Sequence, residues 1–355
     1  MGGAERFLGR LAGQLAKRYD VDQLIVSIDP IGERSLISNF DEIPVISLEA
    51  TSVRNFARAM TRLRHVVAEF RPDIIQTWLY RADLTGALAR SAAPQARLVW
   101  NLRCSDAPLH WKSQLLVRLA AHMSWRLPDA IIACGYKARD HHVSCGYDLG
   151  KISIINNGFD FGSLPTTLPH GKCDDMFILG AAGRWDPAKN YDLLFDVFSD
   201  LRAGGVSARL IVAGFGCSYD NPEIASRIDA LGLREHVDLL GEINEMAGFY
   251  QGLDAFCLSS ISEGFPNVLC EAMGHGLPVV TTAAGDAKEI VGDAGAVVPV
   301  GDRLQLVGAL RHLASLTRTQ RQEIGAISAQ SVRKKYDIER VSREYFTKYL
   351  NLMGL

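Results

Sequence analysis

Two carboxylates in the second half of the chain have a spacing typical of a ligand site. Glu263 and Glu271 are separated by seven residues, with Pro266 between them and the apolar run 255–258 just before. The run predicts a buried strand, and Pro266 suits the first turn of a helix, where its missing N–H has no partner to lose. We therefore expect a strand, a tight loop with Glu263, and a helix that carries Glu271 about a turn and a half from its start.

The start of this helix is a predicted anion site. The backbone N–H groups of Asn267, Val268 and Leu269 would lack intrahelical partners and would point at a negative ligand. Glu271 would accept hydrogen bonds from hydroxyl groups on one side of that anion, and Glu263 would do so on the other side. A ligand with hydroxyls on both sides of a phosphate fits this layout, and a sugar nucleotide is such a molecule.

Two cations follow an earlier predicted strand. Arg184 and Lys189 lie in the loop 183–190, directly after the apolar run 177–181. At the carboxyl end of a strand, such a pair can converge on a diphosphate, the Arg as a planar fork and the Lys as a point charge. The alternative is two solvated loop cations, which are common on protein surfaces.

Glycines mark several of the same junctions. Gly183 opens the basic loop, Gly214 belongs to a Gly-x-Gly turn after the next strand, and Gly2 and Gly3 precede the first amphipathic helix. Glycine lets backbone approach a ligand closely, although a plain turn is the alternative at Gly214. Gly241, which follows the run 237–240, is placed where a nucleobase could lie against the chain.

The order of elements predicts an α/β fold. Apolar runs alternate with amphipathic stretches, which is typical of parallel sheets with helices on both faces. The predicted strands are 24–28, 74–77, 98–102, 130–134, 152–155, 177–181, 210–213, 237–240, 255–258, 279–282 and 296–298. The aperiodic stretch 161–175 predicts a linker between two Rossmann-like halves, whose strand ends would define a cleft. The turn at 156–160 predicts a positive φ at Gly158.

Bulk properties exclude some classes of function. The chain has 355 residues, enough for two domains, and a net charge of −2, which gives no general attraction to nucleic acid. Its seven cysteines form no CxxC pair, which favours free thiols in the reducing cytoplasm. The sequence shows no signal peptide and no long uncharged apolar run. It therefore predicts neither export nor a membrane span.

Taken in order, these segments resemble the retaining GT-B glycosyltransferases of family four (glycosyl transferases group 1). This group builds capsule, lipopolysaccharide and lipid-linked oligosaccharides in bacteria. The matching motifs are Gly-Gly-Ala-Glu at 2–5, Asn-Gly-Phe-Asp at 157–160, the loop 183–189, Glu-x7-Glu at 263–271 and the glycine-rich tail 285–302. The resemblance implies an acceptor-side domain at 1–165, a nucleotide-sugar domain at 172–337, and a helix at 338–355 that packs back on the first.

The resemblance also implies roles for the site residues. Arg184 and Lys189 would hold the diphosphate and support the leaving group, and Glu271 would bind the ribose hydroxyls. Glu263, with the backbone from Phe265 to Asn267, would orient the transferred hexose. The donor would be a nucleoside diphosphate sugar, with a UDP-sugar favoured over a GDP-sugar, and the reaction would need no cofactor or metal. The Asp-Val-Asp at 20–22 precedes a strand, so we interpret it as a solvated turn.

Two departures from the family pattern concern the first domain. The family has a central strand before its Gly-Gly pair, whereas this sequence opens there with Met1, so a start further upstream is expected. Many relatives place a His after the strand that matches 74–77, and here Trp78 takes that position, with Arg81 or Asp83 as candidate substitutes.

The segment 111–126 concerns the acceptor. Its cations, two Trp residues and apolar stripe suit a helix at a membrane interface, although a core-facing helix with a solvated basic edge is the favoured alternative. A saccharide acceptor carried on a lipid, with peripheral contact at the inner face of the membrane, agrees with the resemblance. Two other functions stay open: a sugar-nucleotide 2-epimerase and a non-catalytic sugar-nucleotide-binding relative.

Overall fold

The structure is a computed structural model that describes residues 3–31, 43–50, 53–104, 111–162 and 176–355. The chain divides into two compact units. The first unit comprises Met1–Asp160 and Tyr336–Leu355, and the second comprises Phe161–Lys335. Most of the predicted linker lies outside the described residues.

The first unit alternates strands and helices. Its strands are β1 (Ile25–Ser27), β2 (Val45–Ser47), β3 (Ile74–Trp78), β4 (Arg97–Leu102), β5 (Ala130–Ala133) and β6 (Ile152–Ile154). Its helices are α1 (Gly3–Arg18), α2 (Val53–Phe70), α3 (Tyr80–Ala89), α4 (Trp111–Ser124), α5 (Tyr136–Ser144) and, from the end of the chain, α13 (Ile338–Met353).

The second unit follows the same alternation. Its strands are β7 (Phe177–Ala182), β8 (Ala208–Ala213), β9 (Val237–Gly241), β10 (Ala255–Leu258), β11 (Val279–Thr282) and β12 (Ala296–Val298). Its helices are α6 (Tyr191–Ala203), α7 (Pro222–Ala230), α8 (Met246–Gln251), α9 (Asn267–Gly274), α10 (Ala287–Val291), α11 (Arg303–Ser315) and α12 (Arg318–Tyr336).

All strand pairs of the named strands are parallel, and the two units differ in one respect. In the second unit one sheet has the order β12-β11-β10-β7-β8-β9, so its first strand, β7, is central. In the first unit the described strands fall into two sheets, β1-β2 and β3-β4-β5-β6.

Each of the predicted strands overlaps an observed one, and β2 is the strand that was not predicted. The central strands are buried on both faces: β5, β10 and β11 consist entirely of buried residues. Continuous apolar runs are the sequence pattern of such strands. The sheets of both units are therefore built where the sequence places them.

The last helix packs on the first. Phe7 and Leu11 of α1 share a core with Val341 and Tyr345 of α13. The predicted positive φ at Gly158 is wrong, because Gly158 is not among the glycines with positive φ. A Cβ at Gly158 would lie 2.7 Å from Ile338 Cδ1, so this glycine is required for the close approach of α13.

Two further findings concern the whole described chain. No helix of the described residues is long and apolar enough to cross a membrane. The cysteines that the structure describes are free thiols at positions 104, 134, 145, 217, 257 and 270.

Candidate functional site

The basic loop at the carboxyl end of β7 has a defined conformation. Asp186 accepts a hydrogen bond from the amide of Ala188 (2.9 Å), which caps the short 3-10 turn Pro187–Lys189. Trp185 stacks on Tyr191, with 5.6 Å between ring centroids. Gly183 has a φ of 154°, and a Cβ there would lie 3.1 Å from Lys189 Cε. The glycine thus makes room for the lysine side chain.

Lys189 and Glu263 form a direct ion pair. Lys189 Nζ lies 2.6 Å from Glu263 Oε1, and the two side chains are 19% and 11% exposed. Ser260 Oγ donates a hydrogen bond of 2.6 Å to the same oxygen. The structure therefore joins the loops after β7 and β10 through two residues that the sequence predicted as site residues, and it adds Ser260, which was not predicted.

Backbone and hydroxyl contacts hold the two loops together. The amide of Ile261 donates to the carbonyl of Ala188 (2.7 Å), and Ser259 Oγ donates to the carbonyl of Lys189 (2.9 Å). Gly285, which follows β11, has a φ of 59°, and a Cβ there would overlap the carbonyl oxygen of Glu263. A third loop therefore packs on the backbone of Glu263.

Arg184 differs from Lys189. Its side chain is 70% exposed and pairs with Asp186, two residues along the chain, at 3.0 Å. The Arg184 guanidinium does not contact Glu263. The two predicted cations therefore have different carboxylate partners, Asp186 for Arg184 and Glu263 for Lys189. Arg184 is on the same loop as Lys189, where an exposed side chain is able to reorient toward a ligand.

Two predicted glycines contact other backbone. A Cβ at Gly214 would overlap the carbonyl oxygen of Gly183, so Gly214 permits close packing of two loops. The amide of Gly241 donates to the carbonyl of Cys217 (2.8 Å), and its carbonyl accepts from the amide of Gly214 (2.7 Å). Both backbone groups of Gly241 are engaged, so a nucleobase would have to contact its α-carbon.

The helix that carries Glu271 begins one residue later than predicted. Pro266 is the N-cap, with Asn267 the first helical residue of α9, and Glu271 is the fifth. The expectation that the Leu269 amide lacks a partner is wrong, because this amide donates a hydrogen bond to the carbonyl of Pro266 (3.0 Å). Asn267 and Val268 remain the predicted anion-binding amides.

The side chains around this helix start divide into buried and accessible groups. Phe265 and Leu269 are buried apolar side chains, so only their backbone could face a ligand. Glu271 is partly exposed, and Tyr250 Oη donates a hydrogen bond of 3.0 Å to its Oε2. Tyr250 comes from α8 and was not predicted.

The corresponding edge of the first unit has its own polar group. Arg103, which follows β4, donates to Asn157 Oδ1 (2.7 Å) and to Asn101 Oδ1 (2.8 Å). Its guanidinium carbon lies 4.8 Å from the ring centroid of Phe7 and 4.5 Å from that of Trp78, and the two rings contact each other with 5.8 Å between their centroids. Arg103 was not predicted as a site residue. Its place directly after a strand was the signal that could have found it.

The first-unit candidates differ in accessibility. Asp83 is fully buried and accepts a hydrogen bond from Thr77 Oγ1, and burial raises the pKa of its carboxyl well above the ordinary value. It therefore cannot reach a substrate. Arg81 is exposed and pairs with Asp29 at 2.9 Å. Gly3 begins α1, as predicted, and Gly2 lies outside the described residues.

One face of α4 is exposed and apolar. The helix buries Val117, Ala120 and Ala121, whereas Leu115 and Leu119 are exposed. It therefore has both a core-facing side, as the favoured interpretation expected, and an unburied apolar side.

Comparison with known proteins agrees with this architecture. Residues 1–162 match the model of Glycosyltransferase Family 4, and residues 177–315 match that of Glycosyl transferases group 1. The chain belongs to the family-four glycosyltransferases with the GT-B fold, which consists of two Rossmann-like domains.

Two curated relatives are named as glycosyltransferases. The lipopolysaccharide core biosynthesis glycosyltransferase LpsD of Rhizobium meliloti is 24% identical over 97% of this chain and 94% of its own length. A Campylobacter jejuni enzyme is 25% identical over 82% of this chain and 80% of its own length. Its name is N-acetylgalactosamine-N,N'-diacetylbacillosaminyl-diphospho-undecaprenol 4-alpha-N-acetylgalactosaminyltransferase. These relatives and the two matching family models agree that the chain is a glycosyltransferase.

A solved structure shares the fold over the full length. Anabaena HepE, crystallised with UDP and glucose, has a TM-score of 0.82 and 22% identity. The alignment covers 100% of this chain and 96% of that one.

Proposed function

We propose that this protein transfers a hexose from a nucleoside diphosphate sugar to a saccharide acceptor with retention of configuration and without a metal ion. The observation that carries the proposal is the Lys189–Glu263 ion pair at the carboxyl ends of β7 and β10. The pair supports the proposal because the cation that would bind the diphosphate and the carboxylate that would bind the sugar lie next to each other. A donor bound there would have its phosphate–sugar bond close to both side chains.

The donor's charge would be balanced by the protein. Lys189 would move from Glu263 to the diphosphate, and Arg184 would turn its exposed guanidinium to the same group, in bidentate contact. The amides of Asn267 and Val268 at the start of α9 would add dipolar stabilisation. Glu263, released from Lys189, would then accept hydroxyl groups of the hexose.

The nucleotide is proposed to be UDP, with GDP as the second choice. Glu271 is partly exposed in α9 and is suited to accept the two ribose hydroxyls, since a carboxylate has acceptor positions for both. The structural relative HepE was crystallised with UDP and glucose, which supports a uridine nucleotide.

The acceptor is proposed to be a saccharide carried on a lipid diphosphate. The Campylobacter relative is named for a diphospho-undecaprenol substrate. The apolar face of α4 supports contact with an anionic lipid surface, because Leu115 and Leu119 are exposed and Arg118, Trp125 and Arg126 are exposed nearby in the chain. Basic and aromatic groups beside an apolar face suit a membrane interface.

A sedimentation experiment tests the membrane part. The protein should co-sediment with vesicles that contain the anionic lipid phosphatidylglycerol and should not co-sediment with vesicles that lack it. Replacement of Leu115 and Leu119 by Ser should abolish this binding. Equal sedimentation of the wild type and the variant would contradict a role for α4.

Nucleotide release tests the main proposal. The full chain is incubated with a panel of UDP- and GDP-hexoses, with water as the acceptor of the hexose, and free nucleoside diphosphate is measured with and without EDTA. We expect release from one donor, unchanged by EDTA, and a loss of about 100-fold or more in Glu263→Ala and Lys189→Ala. Glu235→Ala, in an exposed loop of the same unit, is the matched control. A protein that binds but never releases product would be a non-catalytic relative.

The stereochemical outcome is a separate measurement. Proton NMR of the first-formed product should show the anomeric configuration of the donor. An inverted product would contradict the retaining part of the proposal and leave the donor assignment intact.

A further inference from the structure

Glu271 is held by a buried tyrosine from the neighbouring helix. Tyr250 is 1% exposed, and its hydroxyl donates to Glu271 Oε2 at 3.0 Å. A hydrogen bond to one oxygen of a partly exposed carboxylate restricts the rotation of that carboxylate and hence the directions that its two oxygens can take. The bond is therefore able to affect any ligand that Glu271 binds.

The tyrosine ring has little freedom to move. It stacks on His275 (5.0 Å between centroids, 27° between planes) and packs on Phe256 (5.9 Å) and Phe249 (5.2 Å). Phe256 lies in the central strand β10 and is fully buried. Burial lowers the pKa of His275 below its ordinary value, so the ring beside Tyr250 is uncharged at neutral pH. The hydroxyl position is thus set by the core of the second unit.

A carboxylate has acceptor positions for about four hydrogen bonds, more than one tyrosine hydroxyl occupies. A vicinal diol can donate one hydroxyl to each carboxylate oxygen only if the carboxylate has the right rotation. An unrestrained glutamate would lose side-chain entropy on adopting it.

We propose that Tyr250 is a positioning residue that orients Glu271 for the ribose diol of the donor nucleotide, and so sets the preference for ribose over deoxyribose. The inference rests on the proposed function, because it takes Glu271 as the ribose ligand. Tyr250 does not contact the nucleotide itself. It acts through the carboxylate.

The test compares binding of UDP and 2′-deoxy-UDP to the full chain by titration calorimetry, with GDP and 2′-deoxy-GDP in parallel. For the wild type we expect the ribonucleotide to bind about tenfold more tightly than its deoxy form, as for one hydrogen bond to a charged group. Tyr250→Phe keeps the ring packing. We expect it to weaken ribonucleotide binding about five- to tenfold and to reduce the ribose preference to about twofold.

Two further variants separate positioning from folding. In a Glu271→Ala background, Tyr250→Phe should change ribonucleotide affinity less than about twofold, since the two residues act as one unit. Tyr219→Phe is the matched control, because Tyr219 Oη donates to the backbone carbonyl of Val237 (2.7 Å) in the same unit. That variant should keep the full ribose preference.

The outcomes distinguish this inference from the proposed function. Failure of both UDP and GDP to bind the wild type would overturn the proposed function and this inference with it. Binding without any preference for ribose would overturn the role of Glu271 and hence of Tyr250. A ribose preference that survives in a folded Tyr250→Phe variant, or that falls equally in Tyr219→Phe, would overturn the positioning role alone.

Discussion

The ion pair of Lys189 with Glu263 allows a quantitative test of how the site loops are joined. At 2.6 Å and an effective dielectric constant of about 20, the Coulomb attraction is about 6 kcal/mol. The side chains are only 19% and 11% exposed, so desolvation, several kcal/mol for each ion, offsets much of that attraction. We expect a net coupling of about 1.5–3 kcal/mol, the range for hydrogen bonds between charged groups.

The coupling should appear in local opening of the two loops. The amide of Ile261 donates to the carbonyl of Ala188, so its hydrogen exchange reports separation of the loops. Lys189→Met leaves Glu263 without its cation and should speed this exchange about 10- to 100-fold, because about 1.4 kcal/mol corresponds to tenfold. In the double variant Lys189→Met/Glu263→Gln, the loss of opening free energy should be smaller than the sum of the losses in the two single variants. Exchange is measured by mass spectrometry on peptides that span residues 258–264.

The same loop contains a matched control. Arg184 also forms an ion pair, with Asp186, but its side chain is 70% exposed. Arg184→Met should therefore cost less than about 0.5 kcal/mol. The reasoning is refuted if Lys189→Met and Glu263→Gln are additive in the double variant, or if Arg184→Met opens the loops as much as Lys189→Met.

Two further predictions concern stability. Burial lowers the pKa of His142 to about 4, so below pH 6.5 the unfolded chain binds a proton that the native state does not. The free energy of unfolding should fall by about 3 kcal/mol between pH 6.5 and 4, and urea titrations should show a flatter pH dependence in His142→Asn. An equally steep dependence in the variant would contradict this. Gly285→Ala should destabilise the second unit by about 2–4 kcal/mol in thermal unfolding, since its Cβ overlaps the Glu263 carbonyl and its φ is 59°. Gly301→Ala, with a φ of 79° and no described atom within 4 Å of the new Cβ, should cost only about 1 kcal/mol, and equal losses in both would argue against the overlap.

The strands could be predicted from the sequence because parallel strands buried on both faces are continuous apolar runs. β10 and β11 are of this kind, and every residue in them is buried. β2 has only three residues, all partly exposed, and it was not predicted, although β1 and β6 of the same length and exposure were. The helix start at Pro266 was displaced by one residue, because the chemistry of proline suits the N-cap region as well as the first turn.

The site could be predicted only at the level of which loops meet. Loops that follow parallel strands lie at one edge of a sheet, and this rule placed Lys189 and Glu263 together. It could not predict their ion pair, which joins residues 74 positions apart. Nor could it predict that Gly214 packs on Gly183, since a glycine required by a neighbouring backbone and one required by a ligand look the same in sequence.

The Lys189–Glu263 ion pair also explains why a cation and a carboxylate, rather than two cations, lie together at the carboxyl ends of β7 and β10. Under the proposed function, a free hexose offers Lys189 no anion, so the pair stays closed. A nucleoside diphosphate offers Lys189 a partner but takes the cation away from Glu263, which is only 11% exposed, and a buried carboxylate that loses its cation is destabilised. Only the intact nucleotide sugar supplies phosphate to the lysine and hydroxyls to the carboxylate at the same time. The pair should therefore favour the whole donor over either of its parts, which two cations at the same positions could not do.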